Sequence, residues 1–260
     1  MFSASLSVAG LGLNFKQDRP GVISVLRRRY APFVAEEAGG YSFSVSSRSG
    51  VQNPFKPVVS FDGKSLNLGR GDFKAALDLA SGAGTLMAAP NEQCLDAFLR
   101  SLISALLIRA GGFMLHSAGI VKNGKAYLFL GRSGAGKSTL SKLAAGAGCE
   151  VISDEINLLR QERGRCVVYG SPFWGEMRAD GRPGRWPLGG IYLLKKSRVN
   201  AVTPCGSAEA LGLLLRCLLN FEKGPGVSGQ VLDNAAALLK KNKFARLEFT
   251  KKDASFMELI

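Results

Sequence analysis

Residues 131–139 read Gly-Arg-Ser-Gly-Ala-Gly-Lys-Ser-Thr, a full G-x-x-x-x-G-K-[ST] sequence, and the fold is read outward from it. The apolar run Tyr127-Leu128-Phe129-Leu130 ahead of it is strand-like. The stretch Thr139 to Ala147 behind it suits a helix, so the context is strand, loop, helix. Gly131, Gly134 and Gly136 let the chain curl, because glycine alone takes positive φ without steric penalty. The amides of the loop then face inward and join the helix N-terminus as a cradle for phosphate oxygens. The cradle is expected to comprise Gly131, Ser133, Gly134, Ala135, Gly136, Lys137, Ser138 and Thr139. Lys137 brings positive charge to β- and γ-phosphates, and Ser138 offers a hydroxyl to Mg²⁺. No guanine-reading motif accompanies the loop, so ATP is the expected nucleotide.

The 260 residues allow one large domain or two small ones, and 46% apolar with 21% charged residues predicts a buried core. Five scattered cysteines without a C-x-x-C pair, and a single histidine, argue against a zinc site and for free thiols in a reducing cytoplasm. Met1-Phe2-Ser3-Ala4-Ser5 lacks the basic and apolar regions of a signal peptide. The most apolar helical stretch, 97–110, is interrupted by Arg100 and Arg109 and is too short to cross a bilayer. A cytoplasmic protein without membrane contact is expected. The net charge of +14 fits a solvated basic surface, an acidic partner or nucleic acid. The basic residues are spread along the chain, with no interleaved aromatics and no helix-turn-helix signature, which argues against nucleic acid.

Two parts follow from the patterning: a β-rich lobe over 1–110, ending in a helix, and an α/β nucleotide domain over 111–260. In the first, Tyr41, Phe43 and Val45 alternate with serines, and Val58–Phe61 precedes an Asp62-Gly63 turn. Leu95, Phe98, Leu99, Leu102, Ile103 and Leu106 recur at helical spacing. In the second, Asn123-Gly124 between apolar runs predicts a hairpin of Phe113–Val121 with Lys125–Leu130. Strands are expected at Glu150–Ser153, Ile156–Arg160, Cys166–Tyr169, Ile191–Leu194 and Phe244–Phe249, with a loop over Gly170–Leu188. Helices are expected at Ala208–Leu219 and Gln230–Lys240.

Three groups can act on a phosphate held by the loop. Asp154-Glu155 follows Lys137 by seventeen and eighteen residues, a span for one helix and one strand that returns the pair beside the loop. Carboxylates there can hold Mg²⁺ or take a proton from an attacking hydroxyl; the alternative is a solvated acidic turn. His116, in the strand before the loop's own strand, can orient an acceptor or stabilise phosphoryl charge, or it is a satisfied structural histidine. Gly170-Ser171-Pro172-Phe173-Trp174-Gly175-Glu176 offers Glu176 as a further metal carboxylate, and Arg178, Arg182 and Arg185 behind it can reach phosphate oxygens; the bland reading is a surface loop.

Over roughly 113–196 these spacings resemble the HPr serine kinase/phosphorylase family, whose kinase core is related to phosphoenolpyruvate carboxykinase. The resemblance implies an α/β, P-loop HPr kinase/PEP carboxykinase-like core preceded here by the β-rich lobe. It implies that His116 assists phosphoryl transfer, that Ser138 binds Mg²⁺ with Asp154 and Glu176, and that the acidic pair supplies the base. The family has Asp-Asp where this chain has Asp154-Glu155, so Asp154 is favoured as base with Glu155 assisting. The loop here continues Ser-Thr where bacterial HPr kinases have Ser-Glu, and the N-terminal part does not resemble theirs. Stand-alone HPr kinase-like proteins, some of which phosphorylate a serine of a precursor peptide, are the nearer resemblance. The expected activity is thus ATP-dependent phosphorylation of a serine in an acidic peptide or protein; a homo-oligomer is compatible with the sequence. The alternatives are a small-metabolite kinase and a nucleotide-dependent switch without phosphotransfer.

Overall fold

The computed structural model describes residues 1–36, 38–49, 56–173, 175–177 and 181–260. Trp174 and Arg178, considered above, lie outside the described residues. The architecture is mixed α/β with two large mixed sheets, each of eight strands among the described residues. The chain divides into two units: residues 1–106 with 220–228, and residues 107–219 with 229–260. The sequence pattern places the boundary after residue 110 and assigns 220–228 to the nucleotide domain. In the structure the boundary falls inside a helix, and 220–228 belongs with the first unit.

In the first unit, β1 (Phe2–Val8), β2 (Leu11–Gln17), α1 (Gly21–Arg29), β3 (Val34–Ala35) and β4 (Gly40–Ser47) come first. They are followed by β5 (Val58–Phe61), β6 (Ser65–Arg70), β7 (Phe73–Asp78), β8 (Ala83–Ala88) and the helix α2 (Glu92–Arg109). The sheet runs β3-β1-β2-β4-β8-β7-β6-β5. Alternation does what the sequence pattern predicts in β4, burying Phe43 and Val45 and exposing the serines between them. Phe98 of α2 stands edge-on to Phe15, Phe43 and Phe73 at 6.3, 5.8 and 5.8 Å, an aromatic cluster that locks helix to sheet. The helix α1 is absent from the sequence expectation. Nine residues ending in three arginines carry a weak apolar signal, yet Val22, Ile23, Val25 and Leu26 are buried.

The second unit holds the sequence-predicted hairpin, β9 (Phe113–Lys122) and β10 (Lys125–Leu130). Asn123 and Gly124 both take positive φ, 50° and 70°, as a two-residue turn between twisted strands requires. Then follow α3 (Lys137–Gly146), β11 (Glu150–Ser153), β12 (Ile156–Glu162), β13 (Arg165–Tyr169) and β14 (Arg185–Lys196). The chain ends with β15 (Ala201–Pro204), α4 (Ser207–Cys217), α5 (Pro225–Lys241) and β16 (Phe244–Phe249). The strand β15 is absent from the sequence expectation, α5 begins five residues before the expected Gln230, and two further boundaries differ. The helix α3 begins at Lys137 because Gly136 already caps it, and β14 starts at Arg185, inside the stretch read as loop. That early part of β14 pairs with β13, while the rest runs parallel to β10 and β16.

Three strands of this sheet, β10, β14 and β16, are therefore parallel: β10 ends at Leu130 opposite Leu193, and β14 and β16 end further on, with Lys196 opposite Phe249. Ligands of open α/β sheets bind outside such carboxyl ends. Below them lies a core of Ile120, Phe129, Leu140, Tyr192, Leu247, Phe249 and Phe256, under α3.

Candidate functional site

Each element delivers one piece to the carboxyl ends of the parallel strands. After Leu130 the chain enters the glycine-rich loop, and α3 leaves it at Lys137. Gly136 sits at φ 107° as the residue before α3, and a Cβ on it would lie 2.8 Å from the ring of Phe249. Only glycine satisfies both conditions, so the motif's second invariant glycine is fixed by backbone and by packing. Gly134 also has positive φ, 75°. A Cβ on Gly131 would meet that of Ala135 at 2.6 Å, so the loop closes tightly on itself. The Lys137 side chain is buried and folds back, its Nζ donating to the Gly131 carbonyl at 2.9 Å. Burial pushes its ammonium below the ordinary lysine range, and the negative charge of Glu155 works against that.

The acidic pair sits where the ladder breaks. Both β11 and β12 pair antiparallel with β9, Ser153 opposite Gly119 and Ile156 opposite His116. Asp154 and Glu155 are the excursion between them. Their turn is braced: Ser153 Oγ accepts from the amides of Glu155 and Ile156 at 3.2 and 3.0 Å and donates to the Phe173 carbonyl at 3.2 Å. Asn157 is fully buried beneath it, donating to the Ser117 carbonyl at 2.7 Å and to Ser117 Oγ at 3.0 Å. Asp154 is itself buried, with Oδ2 accepting from the Met177 amide at 3.2 Å. A Cβ on Gly175 would stand 2.6 Å from Asp154 Oδ1 and 2.7 Å from Glu155 Cβ, so this glycine packs directly on the pair.

These pieces border one cavity of about 750 Å³. Ser133, Gly134, Gly136, Lys137, Ser138 and Thr139 form one wall. His116, Asp154, Glu155, Gly175 and Glu176 form another. His116 arrives there because Ser117 of β9 lies opposite Leu130, the last residue of β10. Gly131 and Ala135, expected in the cradle, border instead a second cavity on the other side of the loop.

Two cations that sequence reasoning counted as scattered surface charge complete the lining, Lys196 and Lys251. Lys196 ends β14, and Lys251 follows β16 by two residues. The signal that could have found them is position, since each lies at the carboxyl end of an apolar run that becomes a parallel strand. Two of the three arginines from which a phosphate contact is expected, Arg182 and Arg185, meet carboxylates. Arg182 pairs with Glu150 at 3.7 Å, and Arg185 holds Glu162 on the opposite part of the sheet. Sequence spacing could not reveal this, because it depends on β14 beginning at Arg185 and pairing with β13.

The oxygen donors of Ser138, Asp154, Glu155 and Glu176 suit a hard cation such as Mg²⁺. Among the described residues no cluster of three or more His, Cys, Asp or Glu side chains could hold a metal by itself. Among the described residues no helix is long and apolar enough to cross a membrane.

No family model matches the chain, and no curated protein matches it in sequence. Among solved structures it is similar to the Hpr(Ser) kinase/phosphatase from Coxiella burnetii, at 12% identity and a TM-score of 0.28 over 46% of this chain and 91% of that one. A likeness at that TM-score carries no argument, and the functional reading stands on the site itself.

Proposed function

We propose that the protein is an ATP-dependent kinase that transfers the γ-phosphate to a serine hydroxyl of a peptide or protein. The observation that carries this reading is the meeting, in one cavity, of the glycine-rich loop with Asp154, Glu155 and His116. The loop amides and Lys137 hold the β- and γ-phosphates, and Lys137 exchanges its bond to the Gly131 carbonyl for phosphate oxygens. Mg²⁺ would be held by Ser138 and Asp154, with Glu176 alongside, and supplies charge neutralisation at the phosphates. The acceptor oxygen forms a bond to the γ-phosphorus, the bond to the β–γ bridging oxygen breaks, and ADP leaves. The acidic pair takes the acceptor's proton, with Asp154 as base and Glu155 assisting. His116, Lys196 and Lys251 face the equatorial oxygens, where charge is stabilised in the transition state.

The test is transfer from γ-labelled ATP with Mg²⁺ to serine-containing peptides, wild type against Asp154→Ala. Label on serine, lost in the variant while nucleotide binding persists, is the expected result. Nucleotide binding with slow hydrolysis and no labelled acceptor would instead make the protein a nucleotide switch, and absence of nucleotide binding would end the reading.

A further inference from the structure

The loop has two sides, and the second is also lined for binding. Gly131, Arg132 and Ala135 border a separate cavity of about 460 Å³, between the end of β14 and the helix α4. Strand alternation separates the two cavities: Lys195 borders this one and Lys196 the other. Its floor is apolar, with Leu193, Leu194, Leu213 and Ala208. Its rim carries four cations, Arg132, Lys195, Arg216 and Arg246, against one carboxylate, Glu209. Two of the cations are spoken for. Arg246 forms a forked pair with Glu209 at 3.3 and 2.6 Å, and Lys195 meets Glu248 at 2.8 Å. Arg132 and Arg216 have no carboxylate within ion-pair distance among the described residues.

A volume in the range of small-ligand pockets, an apolar floor and two uncompensated guanidinium groups define the chemistry of an occupant. It has an apolar body and carries negative charge. A nucleobase can stack on one guanidinium plane but brings no negative charge for the second. We infer that this cavity is the recognition site for the acceptor polypeptide, taking an apolar side chain flanked by Asp or Glu. This rests on the kinase reading above, and Arg132 is the link: it borders the recognition cavity, while Ser133, next in the chain, borders the transfer cavity. The peptide would thus be read on one side of the loop and phosphorylated on the other. Guanidinium forks favour carboxylates, and the net charge of +14 speeds the approach of an acidic chain.

Gly212 provides a clean test. It lies in α4 and borders the cavity, and a Cβ added there meets nothing within 4 Å. Gly212→Phe would fill the floor while improving helix propensity. Arg216→Glu, exposed on the same helix, reverses one rim charge. Fluorescent serine-centred peptide pools, one with Leu or Phe flanked by Glu and Asp and one with the acids replaced by Lys, are titrated by anisotropy against wild type and both variants. MgATP binding and labelled-phosphate transfer are followed in parallel. Wild type should bind the acidic pool at least tenfold tighter than the basic pool. Gly212→Phe and Arg216→Glu should each lose about tenfold or more of that affinity with MgATP binding unchanged. Equal binding of both pools by wild type, or acidic binding untouched by both variants, would overturn the assignment. Failure of the kinase reading looks different: the peptide binds and the variants weaken it, but no label reaches serine.

Discussion

The two units hold their buried polar groups to different ends. In the first, such groups are spent on one another. Asp72 is buried and takes a forked pair from Arg70 at 2.7 and 2.5 Å, while its carbonyl accepts from the Ala89 amide at 3.0 Å and from Cys94 at 3.3 Å. Arg29 and Tyr30 likewise meet on Asp96. Those carboxylates bind strand ends and α1 to the start of α2, and their chemistry is complete inside the fold. In the second unit Lys137 and Asp154 are buried too, yet they line an open cavity. Lys137 hydrogen-bonds to backbone carbonyls and Asp154 to a backbone amide, with no forked carboxylate–guanidinium pair on either. Buried charge that is paired stabilises; buried charge that faces a cavity is a candidate for function.

The comparison is most easily broken by exchanging the fates of two aspartates. Asp154→Ala is expected to lower phosphate transfer by about a thousandfold or more, with little loss of stability, because it removes the base and a single amide partner. Asp72→Ala is expected to do the reverse. It strands Arg70, whose side chain is 13% exposed, and should cost about 3 kcal/mol in denaturant unfolding while the surviving folded fraction keeps full turnover. A large stability loss from Asp154→Ala, or turnover loss from Asp72→Ala with the protein folded, would erase the distinction. Next in size, Gly175→Ala should reduce turnover by about tenfold to a hundredfold, since the new methyl must displace the Asp154 carboxylate by part of an ångström. Its melting temperature should scarcely move, because Gly175 is half-buried. Lys196→Met and Lys251→Met should each cost about tenfold in the preference for MgATP over MgADP, measured by competition binding, if they face the γ-phosphate.

How far the sequence reached depends on whether a feature is local. The glycine-rich loop, the Asn123-Gly124 hairpin and the long helix α2 are written in contiguous residues whose steric demands are met within a few positions. Most of the second sheet's strands were legible for the same reason, each as a short apolar run, but β15 is absent from the expectation and the start of β14 lies in the stretch read as loop. The missed elements are those whose sense is tertiary. The helix α1 is only nine residues long, and its apolar face is buried by the sheet it packs on. Lys196 and Lys251 join the loop only because β10, β14 and β16 are parallel. The brace of Ser153, Ser117 and Asn157 joins residues 40 apart in sequence, and no spacing rule picks them out. Arg182 and Arg185 show the converse error, a cluster in sequence that the ladder pulls toward Glu150 and Glu162.

The smallest expected effect separates stability from function at a single residue. Burial lowers the Lys137 pKa from its ordinary 10.5, so the folded chain binds that proton less readily than the unfolded chain. Protonation therefore costs the fold some stability at neutral pH. The cost shrinks as pH rises from the lowered value toward 10.5, above which both states are neutral there. Lys137→Met removes the charge and keeps most of the aliphatic bulk. It should raise the melting temperature slightly at pH 7, with the gain fading as pH approaches the lysine range, while MgATP binding disappears. No paired cation of the first unit should behave in this way: Arg70→Met forfeits a partner and should lower the melting temperature at pH 7. Opposite signs at Lys137 and Arg70 would mark one unit's buried cation as held ready for phosphate and the other's as mortar. The same sign at both would mean that Lys137 is held by its own loop for stability, and that the loop carbonyls, not a nucleotide, are its intended partners.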